Sequence, residues 1–189
     1  MPKSDRPYPV DDGRADHLID RTLPPIALPA TRGPDVTLAD LQRAVVFFYP
    51  MTGRPDRPLP EGWDDIPGAR GCTPEACRFS DMVRAFVALE TPVYGVSTQS
   101  PDYQREMADR LHLTYPVLSD HGLALTRALA LPTFDAGGET FLTRLTVILE
   151  RGRIARVFYP IPFPDRHPDD VLAWLTEENW RWPGNTRPR

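Results

Sequence analysis

The run Ala44-Val45-Val46-Phe47-Phe48-Tyr49 most constrains the fold. It is continuous, apolar, rich in Val and Phe, and too short for a stable helix, which makes it a central strand. Val93-Tyr94-Gly95-Val96-Ser97 reads as a second compact strand, and Tyr115-Pro116-Val117-Leu118 as an extended segment. Arg144 to Leu149 and Arg153 to Phe158 read as strands joined by a hairpin, with Gly152 supplying the freedom of the turn. Helical spacing falls between these strands. Phe79, Met82, Val83, Phe86 and Leu89 form one apolar stripe, and Tyr103, Met107 and Leu111 form another. Residues 122–131 predict a short helix. Residues 169–178, carrying Val171, Leu172, Trp174 and Leu175, predict a terminal amphipathic one. The alternation predicts an α/β fold, a central mixed sheet flanked by helices.

A chain of 189 residues accommodates one sizeable domain. The expected organisation is a flexible or extended arm over 1–20, one domain over 21–178 with a loop insertion at 51–71, and a tail over 179–189. Twenty-three prolines are more than twice the usual share of about 5% and cluster in four places, so they mark loops and extended connections. A net charge of −4 gives no support for nucleic-acid binding, which calls for a basic stripe. The start has no apolar h-region, and no segment approaches the run of about 18 apolar residues that a spanning helix requires. The expected location is therefore the cytoplasm, without membrane attachment. There a permanent structural disulfide is disfavoured and a transient catalytic one is permitted. No dinucleotide loop, phosphate loop or His-Glu-x-x-His pair is present, and two cysteines are too few for a cysteine-only zinc site. No cofactor or metal is expected.

Both cysteines lie in Gly71-Cys72-Thr73-Pro74-Glu75-Ala76-Cys77-Arg78-Phe79, directly after the 51–71 insertion. Thr73 suits a helix N-cap, Pro74 the first helical position, and Glu75 the positive end of the dipole. A cysteine at such a start has its thiol pKa lowered by unpaired N–H groups, and Arg70 adds to that field. Cys77 lies five residues on, a rotation of about 500°, so the two side chains do not share a helix face. A disulfide needs Cα atoms within about 7 Å, so its formation requires the first turn to open. Two small buried helix residues remain the plain alternative. His112, His121 and His167 show no ligand spacing and read as surface or helix-end residues.

Phe47-Phe48-Tyr49-Pro50 followed by the block from Gly71 to Phe79 resembles the peroxiredoxin superfamily, in particular its bacterioferritin-comigratory-protein-like atypical two-cysteine branch. Val93–Ser97, Tyr115-Pro-Val-Leu-Ser-Asp120 and Arg144–Leu149 resemble later parts of that domain in the expected order, over about residues 23–178. The resemblance implies a thioredoxin-like fold and a thiol-dependent peroxidase acting on hydrogen peroxide or organic hydroperoxides. Cys72 matches the peroxidatic cysteine, which becomes sulfenic acid. Cys77 matches the resolving cysteine, which closes a disulfide with it. A thioredoxin-like dithiol then restores both thiols. Arg144 matches the active-site arginine. An internal resolving cysteine fits a monomer or weak homodimer.

One departure bears on activity. The family pattern places Pro seven and Thr three residues before the peroxidatic cysteine, where this chain has Asp65 and Ala69. Pro50, before the insertion, and Thr52, folding back from within it, are the alternative matches. Arg70 or backbone donors of Gly68–Gly71 are the alternative compensation. If nothing compensates, the resemblance implies a thioredoxin-like redox sensor or binding protein with weak turnover.

Overall fold

The computed structural model describes residues 7–177. A five-stranded sheet forms its centre: β3 (Arg43–Phe48), β4 (Val93–Ser97), β5 (Val117–Ser119), β8 (Leu145–Glu150) and β9 (Arg153–Phe158), in the order β5-β4-β3-β8-β9. β3 runs parallel to β4, and β4 to β5, whereas β8 and β9 are antiparallel to their neighbours. The four main helices are α1 (Cys72–Ala88), α2 (Pro101–Arg110), α3 (Ala124–Leu129) and α4 (His167–Thr176). This is a thioredoxin-like fold. Two small antiparallel pairs complete it: β1 (Ala27–Leu28) with β2 (Val36–Thr37), and β6 (Thr133–Ala136) with β7 (Glu139–Leu142).

β3 explains the unbroken apolar run. Its side chains alternate with the pleat, and both faces of the sheet are covered. Val45, Phe47 and Tyr49 enter one core with Phe79 and Phe86 of α1, Met107 of α2, and Val171 and Leu175 of α4. Ala44, Val46 and Phe48 enter the other with Leu125 and Leu129 of α3 and with Ala15, Leu18 and Leu23. Residues 15–23 thus pack against the sheet, and Leu18 is completely buried. Phe47 fixes α1 over the sheet by stacking on Phe79, with ring centroids 4.5 Å apart. Burying each such ring stabilises the fold by about 1.5–3 kcal/mol. Gly95 on β4 makes room, because a Cβ there would lie 2.7 Å from the Phe47 ring.

Several element boundaries differ from expectation. α1 starts at Cys72, with Gly71 as its N-cap at φ 101°, so Thr73 is inside the helix and its side chain caps nothing. A left-handed turn is needed to redirect the chain from the preceding loop, and only Gly tolerates it cheaply. α3 is shorter than 122–131, and α4 runs two residues earlier than predicted at each end. Glu178, Trp180, Trp182 and the whole expected 179–189 tail lie outside the described residues. The β6–β7 hairpin carries no strong apolar run and was not apparent from pattern. The 51–71 insertion is pinned by side chains. Trp63, in a short 3-10 turn, packs edge-on against Phe141 at 4.9 Å, with Phe134 and Ala69 completing a third small core.

Candidate active site

β3 ends beneath the N-terminus of α1, so the chain leaving the strand at Tyr49-Pro50-Met51-Thr52 passes the first residue of that helix. Cys72 is buried there, 3% exposed. The Met51 backbone N–H lies close enough to favour negative charge on its sulfur. The thiol is itself placed to donate to the Ala69 carbonyl at 3.5 Å. Arg144, just before β8 and also 3% exposed, places Nη2 3.1 Å from Cys72 Sγ. The same nitrogen donates to the Gly68 and Arg70 carbonyls at 3.2 and 3.1 Å. Its Nη1 donates to Oε2 of Glu75, which is fully buried one helical turn after Cys72. The insertion therefore supplies carbonyls that orient the guanidinium, while the helix supplies its counter-charge.

The structure brings Cys72 and Arg144 together, 72 residues apart in sequence, as a cysteine–guanidinium contact. It does not bring Cys77 to Cys72. Both thiols are free, and Cys77 is half-buried on α1. Burial pushes the Cys77 thiol up, nearby Asp81 adds to that, and Arg110 opposes it. The expected depression of the Cys72 thiol is overturned. Burial raises it, and Arg144 and the Met51 amide oppose that rise without reversing it. A closed low-dielectric site penalises the anion more than a helix terminus favours it. The Arg70 guanidinium pairs with Asp64 at the surface, which weakens its field at Cys72 without removing it.

Two residues that sequence reasoning weighted lightly belong to this site, and a third, Thr52, directly follows the Met51 amide that reaches Cys72. Glu75, expected as a dipole-favoured first-turn residue, is the buried partner of Arg144. Burial pushes its carboxyl up to about 7, against the pull of Arg144. His167, expected near the surface, is 4% exposed. Its Nε2 lies 2.8 Å from Thr146 Oγ1, on the strand that follows Arg144. Burial, with Arg144 contributing, lowers its pKa to about 3. Thr52 is fully buried, with its N–H donating to Gln99 Oε1 at 3.3 Å and its carbonyl accepting from Tyr103 Oη at 2.9 Å. Its own Oγ1 is buried without a hydrogen-bond partner. Ala69, at the position where a threonine was expected, buries its side chain in the Trp63–Phe141 core, so a hydroxyl there would enter apolar surroundings.

The fold and site together define a thioredoxin-like protein with a buried cysteine held by an arginine at a helix start. The model of the redoxin family matches residues 19–171, and the chain belongs to that family. It is 28% identical over 158 residues to the chloroplast peroxiredoxin Q of Suaeda salsa, covering 82% of this chain and 66% of that protein. It is 27% identical over 165 residues to peroxiredoxin Bcp of Escherichia coli, covering 82% and 92%. Two Mycobacterium tuberculosis relatives share 33% identity over 99 residues, so the chain spans only 54% of their length. The crystal structure of peroxidoxin BcpB from Mycobacterium tuberculosis superposes with a TM-score of 0.68 at 25% identity, covering 87% of this chain and 98% of that one.

Proposed function

We propose that this chain is a thiol-dependent peroxidase that reduces hydrogen peroxide or organic hydroperoxides, with Cys72 as nucleophile. The observation that carries this reading is the Arg144 guanidinium on the Cys72 sulfur within a closed site. A cation fixed there lowers the cost of forming the thiolate and stays in place as negative charge passes to the peroxide oxygens. The Met51 N–H adds a backbone donor, and the buried, unpartnered Thr52 Oγ1 is assigned the part of the hydroxyl that Ala69 lacks. Attack on the O–O bond yields Cys72 sulfenic acid and the alcohol or water.

Cys77 resolves that acid to a Cys72–Cys77 disulfide after the start of α1 unwinds. Unwinding breaks the Arg144–Glu75 pair and the 2.9 Å bond from Tyr115 Oη to the Ala76 carbonyl. Two clasps lie beyond Cys77 and limit how far the opening spreads: Arg78 with Asp169 of α4 at 2.9 Å, and Ser80 with Thr114 at 2.9 Å. A thioredoxin-like dithiol then reduces the disulfide. The cytoplasm is the location consistent with that reductant, and an internal resolving cysteine lets the chain act as a monomer or weak homodimer.

Intact-mass measurement after one equivalent of peroxide tests the cycle. The wild-type chain should lose two hydrogens, Cys77→Ser should gain one oxygen, and Cys72→Ser should remain unchanged. An unchanged mass for the folded, reduced wild type would reject the proposal.

A further inference from the structure

Among the described residues Arg144 is the one cation at the centre of the site, and two acids share its guanidinium: Cys72 Sγ on Nη2 and Glu75 Oε2 on Nη1. All three residues are at most 3% exposed. An uncompensated ion in such a place costs several kcal/mol. Net neutrality therefore requires one anion beside Arg144⁺, so the two acids hold a single proton between them. Cys72 and Glu75 are three residues apart on α1, which puts them on the same helix face. Glu75 Oε1 is buried and has no hydrogen-bond partner, leaving one carboxyl oxygen unengaged by protein. Neither a stabilising role for Arg144 nor the helix packing calls for a carboxylate that is half unsatisfied.

We propose that Glu75 is a catalytic proton relay: it takes the proton from the Cys72 thiol and delivers it to the oxygen that leaves the peroxide. This rests on the peroxidase reading and adds the route of the proton. In the first step Cys72–SH and Glu75–COO⁻ become Cys72–S⁻ and Glu75–COOH, with no change in the charge of the site. In the second the thiolate sulfur attacks the terminal oxygen of HO–OR, forming the S–O bond as the O–O bond breaks. The sulfur loses two electrons, and these leave with RO⁻. The Glu75 proton converts RO⁻ to ROH, so Cys72–SOH, ROH and Glu75–COO⁻ result. The sum is Cys72–SH + ROOH → Cys72–SOH + ROH, with the carboxylate restored and no proton drawn from the medium.

The titratable and charged groups facing the pair are few. Tyr49 at the end of β3 and Tyr115 before β5 are both held well above the ordinary phenol range by burial, so they stay neutral. His167 of α4 faces Arg144 and is neutral above about pH 3. Arg70 of the insertion is cationic, pairs with Asp64 at the surface and acts on Cys72 only at longer range. The proton pair is therefore Cys72 and Glu75.

The test is the second-order rate of Cys72 oxidation by hydrogen peroxide, read against pH in a Cys77→Ser background that stops at the sulfenic acid. A relay needs one proton on the pair, so the rate must rise as the first proton leaves and fall as the second leaves, a two-limbed profile. Glu75→Gln keeps the size and an acceptor for Arg144 but carries no proton. It should show a single rising limb and a plateau lowered on the order of a hundredfold, the usual contribution of a general acid. A purely structural role for Glu75 would lower the rate without removing a limb. A Cys77→Ser profile with only a rising limb overturns the relay, and that measurement needs no change at Glu75. Cys72 that forms sulfenic acid with a one-limbed profile sinks the relay alone. Cys72 that resists oxidation at every pH sinks the relay and the peroxidase reading together.

Discussion

His167 provides the sharpest quantitative prediction. Its ring is buried between Phe79 and Phe158, with centroids 6.3 and 5.5 Å away, and bonds Thr146 beneath the Arg144 site. The folded-state pKa is about 3, against an ordinary value near 6.5. The unfolded chain thus binds a proton that the folded chain refuses between about pH 6.5 and pH 3, so stability falls as pH falls through that window. From pH 7 to pH 5 the loss is about 2 kcal/mol. Glu75 acts with the opposite sign. Its folded value is raised to about 7, so its contribution grows as pH falls from there toward its unfolded value of 4.5. The two effects are of similar size, and the wild-type response should be shallow. His167→Gln separates them. The amide retains a bond to Thr146, and the lost ring packing weakens the fold equally at both pH values. Urea unfolding at pH 7 and pH 5 should show that wild type loses about 2 kcal/mol more than His167→Gln over that interval. Equal losses would mean that His167 is not held neutral in the folded chain, and the argument from burial would be refuted.

Thr52→Val should reduce the rate of Cys72 oxidation by roughly 10–100-fold, the value of one hydrogen bond to a charged group, while urea stability stays nearly unchanged. Stopped-flow oxidation checks it, and an unaltered rate would remove Thr52 from the site. Arg144→Gln leaves Glu75 buried beside a neutral amide and should cost about 3–5 kcal/mol of unfolding free energy at pH 8, less at pH 5 where Glu75 protonates. A loss independent of pH would argue against a charged pair. Gly71→Ala forces a Cβ at φ 101° to within 2.3 Å of Pro164 Cγ. It should destabilise the fold by at least about 1–3 kcal/mol, read from thermal unfolding, and a neutral result would contradict the turn that starts α1.

Much of the fold was legible because its signals are local. The Ala44–Tyr49 run, the Phe79–Leu89 stripe and the Gly152 turn each carry their own periodicity or backbone requirement, and all three lie where pattern placed them. The β6–β7 hairpin was illegible, since its partly exposed residues show no apolar run. His167 was misplaced because its burial comes from Phe79, which is remote in sequence, and from Phe158 on the neighbouring strand. The 51–71 insertion looked unstructured for a similar reason, as one tryptophan anchors it to a hairpin about 70 residues further on.

The sequence by itself determined the layered α/β order, the nearness of both cysteines to a helix start, and the families of residues to inspect. These follow from spacing, propensity and a conspicuous cysteine block. Only the tertiary structure decided the state of the nucleophile. Sequence placed Cys72 in the field of a helix terminus and Arg70. Folding instead buried it, paired Arg70 with Asp64, and brought Cys72 and Glu75 onto the one guanidinium of Arg144. Desolvation and charge neutrality depend on which groups share a closed volume, and that is a property of the assembled fold rather than of neighbours along the chain.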